Sequence, residues 1–274
     1  MEAFMLKKTR HSSQVQSVLV TGASRGIGSA FARALPQDCR IILTGRDQDA
    51  LDRVRDEITL PGREVSIVTA DLALAADRSR VIEKGLTADL DMVIANAGTG
   101  NYGRFLDREL SQHQTTLSVN VEAVVELLHT LLPGMIERAK TNQRRAAAIV
   151  VGSTAGFVPV PYLATYAASK AFVLSFCESL SAELSADPVD ILCVCPGATN
   201  TEFGSRAGFA GGSLPGAMEP DFVARKALRA VGRRRTLILD PIPAPVLAPT
   251  ALVRTTAAEI IGRAIDIFDR GRSR

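Results

Sequence analysis

The stretch SVLVTGASRGIG, residues 17–28, decides the fold. Its first part, Ser17-Val18-Leu19-Val20, is a short apolar run without polar alternation, the pattern of a strand covered on both faces. Glycines at 22, 26 and 28 then break the run, and a helical segment from Ile27 to Leu35 follows until Pro36 ends it. At a strand-to-helix junction such glycines permit a tight turn and bring backbone N–H groups close to a pyrophosphate at the helix start. The spacing is G-x-x-x-G-x-G rather than the general G-x-G-x-x-G, so the strand before and the helix after carry the reading. Gly22, Ser24, Arg25, Gly26, Ile27 and Gly28 are therefore candidate contacts to a dinucleotide.

The same alternation continues outward from this turn. Strands are expected at Arg40–Thr44, Glu64–Thr69, Met92–Ala95, Ala148–Val151 and Val189–Val194, with a seventh at Thr236–Leu239. Helices are expected from about Asp47 to Ile58 and from Arg78 to Lys84. A long helix carries Leu117, Val121, Val124, Leu128, Leu131 and Met135 as one apolar stripe, and another runs from Tyr166 through Phe172, Phe176, Leu180 and Leu184. Apolar strands separated by helices mean an α/β fold: a Rossmann-type, doubly wound parallel sheet of about seven strands with helices on both faces. Residues 15–274 read as one domain, and residues 1–14 as a flexible tail.

Composition narrows the function. The chain has 274 residues, is 46% hydrophobic and carries a net charge of only +3, so it has core enough to fold and no basic track for nucleic acid. The N-terminus lacks the core of a secretory signal, and no segment reads as a transmembrane span: Leu237 to Val253 is interrupted by Asp240 and four prolines. Four cysteines without a secretory signal place the protein in a reducing, cytoplasmic setting, with Cys193 and Cys195 as small buried residues of one strand face. The three histidines show no ligand spacing, and no metal is assigned.

Two places at strand ends bear on the cofactor. An acid ending the second strand would bind the ribose hydroxyl of NAD, whereas an arginine accommodates the 2′-phosphate of NADP. Here Leu43-Thr44-Gly45-Arg46-Asp47 has no acid at the strand end, Arg46 just beyond it, and Asp47 late; Arg25 offers a second positive group. NADP(H) is favoured over NAD(H). Asp71-Leu72 and Asn96-Ala97-Gly98 follow the third and fourth strands, where the ligand crevice of such a sheet lies. Asp71 suits an adenine amino group or a helix cap, and Asn96 a backbone fastening beside the cofactor.

The chemistry points to Tyr166-Ala-Ala-Ser-Lys170, with Ser153 thirteen residues upstream. Tyrosine and lysine four apart share a helix face, and an ammonium beside a phenol is expected to lower the phenol pKa from about 10. Tyr166 then acts as proton donor and acceptor, and Ser153 as a second hydroxyl on the same oxygen.

Together these residues resemble the short-chain dehydrogenase/reductase family over roughly Ser17 to Phe203. The motifs are TGASRGIG at 21–28, ADL at 70–72, ANAG at 95–98, SVN at 118–120, Ser153, YAASK at 166–170 and CPGATNT at 195–201. One departure is Ala95, where relatives often have a second asparagine. The resemblance implies a catalytic set of Asn120, Ser153, Tyr166 and Lys170. In it, Lys170 binds the nicotinamide ribose, and Asn120 holds a water that relays protons from Lys170. Tyr166 and Lys170 thus also count among the cofactor contacts, with Pro196, Gly197, Thr199 and Thr201 beside the nicotinamide and phosphates. It further implies a lid over Glu202 to Pro220 and a homo-oligomer, dimer or tetramer. Phe157, Val158, Val160, Tyr162 and Phe203 are expected either to line an apolar pocket or to serve as core or interface residues. The expected activity is interconversion of a small-molecule carbonyl (ketone, aldehyde or 3-oxoacyl) and an alcohol. A nicotinamide-sensing interaction protein on the same fold is the alternative, but it has no need of Tyr166 or Lys170. A sugar-nucleotide epimerase would normally show other glycine spacing and a larger C-terminal part.

Overall fold

The structure, a computed structural model, describes residues 15–208 and 216–240. The expected tail over 1–14, the middle of the expected lid at 209–215 and the proline-rich stretch from Pro241 lie outside the described residues. The strands are β1 (Ser17–Thr21), β2 (Arg40–Gly45), β3 (Val65–Thr69), β4 (Met92–Ala95), β5 (Ala146–Val151), β6 (Val189–Pro196) and β7 (Thr236–Leu239). The helices are α1 (Gly26–Ala34), α2 (Gln48–Ile58), α3 (Ala75–Leu86), α4 (Leu110–Leu117), α5 (Ala123–Thr141), α6 (Ala164–Glu183), α7 (Phe203–Arg206) and α8 (Pro220–Ala230).

All seven strands form one sheet in the order β3-β2-β1-β4-β5-β6-β7. Every neighbouring pair is parallel. Alternate residues of each strand feed opposite faces, which explains the unbroken apolar runs. On one face Val18, Val20, Leu43, Ile94, Ile149 and Val194 pack with Phe31 of α1, Leu51 and Val54 of α2, and Val223 and Ala227 of α8. On the other, Leu19, Ile42, Val93, Val150 and Cys193 pack with Val81 of α3, Leu127, Leu128 and Leu131 of α5, and Val173 and Leu174 of α6. Each fully buried Val, Leu, Ile or Phe among them contributes roughly 1.5–3 kcal/mol of transfer free energy. The strand order reverses between β1 and β4, and that switch point opens the crevice at the carboxyl ends of the strands.

The long-helix expectation needs one correction. A π-helical turn, Ser118–Glu122, joins α4 to α5. The extra residue rotates the buried face, so His113, Thr116 and Asn120 are buried before Ala123 and Val124, while Leu117 is 43% exposed. The apolar stripe therefore begins after the turn. The whole run Leu110–Thr141 is long and apolar enough, by length and composition, to cross a membrane, yet the α5 part packs on the sheet. On α6 the sheet-facing residues are Ala167, Lys170, Val173, Leu174 and Cys177, whereas Phe172 is exposed and its ring stacks on Phe176. The α3 helix is longer than expected at both ends, starting as soon as the Asp71 turn is complete.

Candidate active site

The glycine turn is held from beneath. Gly22 and Gly26 have φ of +64° and +58°, a left-handed conformation that glycine adopts without strain. A Cβ on Gly22 would fall 2.8 Å from Ala97 Cα, so the turn rests directly on the chain leaving β4. Asn96 Nδ2 donates to Thr21 O at 2.9 Å and to Gly22 O at 3.1 Å. The Asn96 and Ala97 amides both donate to Thr21 Oγ1 at 3.0 Å. The fastening role is the one Asn96 takes. The N-cap of α1 is Arg25, whose side chain makes no cap bond and has no acceptor to offer. The first-turn N–H groups thus lack a side-chain acceptor and carry the positive end of the helix dipole, which fits a pyrophosphate.

Around this turn the charged residues are arranged differently from the simplest expectation. Arg25 Nη1 pairs with Glu202 Oε2 at 2.7 Å, and Arg25 Nη2 pairs with Asp47. Asp47 is the N-cap of α2, accepting from Ala50 N at 3.0 Å; that bond, and secondarily Arg25, holds its carboxyl below the usual range. Arg46 is 59% exposed, with Nη1 3.8 Å from Asp71 Oδ2. Asp71 Oδ1 accepts from Ala73 N at 3.0 Å, forming a side-chain turn before α3 rather than its cap, which is Leu74. Leu72 is buried in the core beside α3, Ile27 packs against the opposite core, and Ser24 lies over Gly45 at the end of β2.

The catalytic candidates converge where β5 and α6 meet. Ser153 follows β5, accepts from Ala155 N at 3.1 Å, and is hydrogen-bonded to Tyr166. Lys170 sits one helical turn beyond Tyr166, its Nζ 5.8 Å from the phenol ring centroid and donating to Val151 O at 2.8 Å. Burial lowers the Lys170 ammonium to about 8. Burial also raises the Tyr166 phenol above its ordinary value, with the Ser153 bond opposing it. The expected lowering of the phenol pKa by Lys170 is therefore not found. Desolvation of the phenolate outweighs the Ser153 bond, and the ammonium is turned toward a backbone carbonyl instead.

Asn120, in the π-turn, is 1% exposed. Its Nδ2 donates to Thr99 O and Ser169 Oγ, both at 2.9 Å, and its Oδ1 accepts from Thr99 N at 2.9 Å. A Cβ on Gly98 would lie 3.4 Å from Lys170 Nζ and 3.5 Å from Asn120 Oδ1, so the absent side chain leaves a space that both groups border. Beneath them lie Cys193 and Cys195, with sulfurs 3.6 Å apart; both thiols are buried and free.

After Pro196 closes β6, the chain crosses the crevice. Gly197 N donates to Leu239 O at 2.7 Å, and Thr199 Oγ1 donates to Gly197 O at 3.1 Å. Thr201 lies against Gly26, where a Cβ would be 3.0 Å from Thr201 Cγ2. Phe203 packs on the Tyr166 ring with centroids 5.2 Å apart. Tyr102 N then donates to Ala207 O at 2.7 Å. Tyr162, at the pocket rim, has φ of +66°, unusual for a bulky residue, and its carbonyl accepts from Gly103 N at 2.9 Å. Val158 and Tyr162 are exposed, while Phe157 packs against the core.

A sequence model of the short chain dehydrogenases matches residues 16–208. The chain belongs to that family. Among relatives of this short chain dehydrogenase, the dehydrogenase/reductase SDR family member 7B of Xenopus tropicalis is 29% identical over 281 residues, 93% of this chain and 87% of the relative. The ketoacyl reductase HetN of Nostoc sp. is 28% identical, covering 82% of this chain and 78% of its own. A short-chain dehydrogenase from Sphingobium yanoikuyae, solved in complex with NADPH, superposes with a TM-score of 0.75 at 30% identity, over 89% of this chain and 95% of that one. A 3-ketoacyl-(acyl-carrier-protein) reductase from Brucella melitensis, complexed with NADH, gives a TM-score of 0.72 at 25% identity, over 82% and 96%. This short chain dehydrogenase is thus an oxidoreductase by family, and structures like it hold a nicotinamide cofactor.

Of the residues singled out from sequence, Ser153, Tyr166 and Lys170 form one contact set, and Asn120 joins Lys170 at Gly98. The glycine turn and Asn96–Gly98 form a second, with Thr201 laid on it. Arg46 and Asp71 sit together at the far end, while Arg25 is turned toward Asp47 and Glu202. Three participants were missed. Val151 offers only a carbonyl, and Thr99 the backbone that holds Asn120, so neither has a side-chain signature. Glu202 follows the CPGATNT motif directly, but its partner lies 177 positions away.

Proposed function

We propose that this chain is an NADP(H)-dependent carbonyl reductase or alcohol dehydrogenase. The observation that carries the reading is the joint placement of Ser153, Tyr166 and Lys170 at the carboxyl end of the sheet, beside the glycine turn. The nicotinamide, when bound, supplies or takes up the hydride. Tyr166 gives its proton to the substrate oxygen in reduction and removes it in oxidation, so hydride plus proton convert carbonyl to alcohol. Ser153 hydrogen-bonds the same oxygen and stabilises its developing charge. Lys170 would hold the nicotinamide ribose, and with Asn120 across the space at Gly98 it would pass protons onward to solvent.

NADP(H) is favoured because Arg46 stands exposed just past β2 with no acid at the strand end. The NADPH complex of the similar Sphingobium protein supports the preference, while the NADH complex of the Brucella reductase makes it worth measuring. Substrates are small to medium, largely apolar ketones, aldehydes or 3-oxoacyl thioesters, in keeping with the apolar residues at the mouth. A homo-oligomer fits the exposed Phe172 ring on the outer side of α6, and the four free thiols fit a cytoplasmic location. The test is NADPH oxidation followed by absorbance across a panel of such carbonyls. Tyr166→Phe should keep NADPH binding while turnover drops by roughly 10²–10⁴-fold. Near-normal turnover in that variant would reject the mechanism, and inactivity on the whole panel would favour a nicotinamide sensor.

A further inference from the structure

The segment from Thr199 to Ala207 is a strap across the crevice. Its base is tied down by the bridge from Thr199 to Met218 and by Asn200 N donating to Met218 O at 2.8 Å. Its far end is tied by Tyr102 N to Ala207 O at 2.7 Å. Between these ends it borders both halves of the site. Thr201 closes over Gly26 so tightly that a Cβ there would come 3.0 Å from its Cγ2, and Phe203 packs on the Tyr166 ring and lies near Gly100. A pyrophosphate set over the first turn of α1 has no layer of space between Gly26 and Thr201. A substrate carbonyl at the Tyr166 hydroxyl must likewise share its approach with the Phe203 ring.

One charged pair joins the middle of the strap to the glycine turn. Glu202 Oε2 is 2.7 Å from Arg25 Nη1 and 3.7 Å from Arg206 Nε, so its carboxylate lies between two guanidinium groups. Arg25 is also engaged by Asp47 on its other nitrogen, which fixes the guanidinium from the rigid side of the crevice. The neighbouring space, about 410 Å³, is lined by Arg25, Gly26, Thr201, Glu202 and Ser205 together with Arg33, Asn200 and Pro220, and gives solvent a route to the pair.

We infer that Glu202 is the pin of a gate: its bond to Arg25 holds the strap down on the glycine turn, and a dinucleotide enters only through the state in which that bond is open. The inference rests on the dinucleotide reading above but not on the preference between NADP and NAD. Both cofactors carry the pyrophosphate that must pass Thr201. If binding selects an open state, apparent affinity scales with the open fraction, and any change in that fraction shifts both cofactors equally. The Glu202 side chain is 59% exposed, so the pair is a weak one, suited to a pin that must release.

The test is Glu202→Gln, which keeps the shape and removes the charge. Hydrogen–deuterium exchange over residues 199–207 is measured on the protein without cofactor, and NADPH and NADH binding are titrated separately. Expected is an increase of about three- to fivefold in strap exchange, with both dissociation constants falling by the same factor. Glu202→Lys, facing Arg25 with a like charge, should open the strap further. Unchanged strap exchange in both variants overturns the pin. A gain confined to NADPH also overturns it, since Glu202 would then only compete with the 2′-phosphate for Arg25. Equal binding of NADPH and NADH by the wild-type protein rejects the cofactor preference alone, because strap exchange is read without any ligand.

Discussion

Lys170 carries an electrostatic cost of burial at the site. It is 5% exposed and donates to Val151 O at 2.8 Å, and burial lowers its pKa from 10.5 to about 8. The sign of the linkage follows from that direction. Between about 8 and 10.5 the unfolded chain binds the lysine proton while the folded chain has released it, so this group adds stability as pH rises. Below about 8 both states are protonated, and the folded state bears the full burial cost. Relative to Lys170→Met, the wild-type protein should therefore gain about 2 kcal/mol of unfolding free energy between pH 7 and 9.5, read from urea titrations at each pH. A flat difference across that range would mean the ammonium is better solvated than its surroundings indicate. Tyr166 moves the other way: burial raises its phenol, which keeps it protonated.

At the scale of elements, the junction of β1, α1 and β4 holds the glycine turn in place. Asn96 accounts for two side-chain bonds to the carbonyls of Thr21 and Gly22. Asn96→Ala removes both donors and leaves part-buried carbonyls unpaired, at a cost of about 1–3 kcal/mol. It should lower Tm in the absence of ligand and weaken dinucleotide binding together, as measured by thermal melts and fluorescence titration. A loss of binding without a loss of stability would instead make Asn96 a direct cofactor ligand. The π-turn at Ser118–Glu122 is the second functional junction: it places Asn120 on the buried face and turns Leu117 outward. The heptad-like stripe of Leu117, Val121 and Val124 conceals this shift, because a one-residue insertion changes helix phase without changing composition.

For the whole molecule, the switch point between β1 and β4 opens the crevice, the two cores flank it, and among the described residues the strap crosses it. Ligand bound there stabilises the fold by mass action. At matched concentrations NADPH should raise Tm more than NADH; at a hundredfold excess over its dissociation constant the gain is about 2.7 kcal/mol. Equal or reversed shifts would remove the preference for NADP, leaving the nicotinamide site itself intact.

The parallel sheet, the alternation of its strands and helices, the glycine turn and the Tyr166–Lys170 spacing on one helix face were legible in the amino-acid order. Each of these depends on local periodicity, turn chemistry or helical spacing, which neighbouring residues encode. The tertiary structure alone decided the partners of Arg25, the direction of the Tyr166 shift and the seat of Phe203 on the Tyr166 ring. Those depend on groups that meet from distant parts of the chain: Arg25 with Glu202 across the crevice, and Lys170 with a backbone carbonyl of β5. Nor does sequence state how much water a side chain loses on folding. That loss of water governs Tyr166 and Lys170, and it is set by packing rather than by neighbours in the chain.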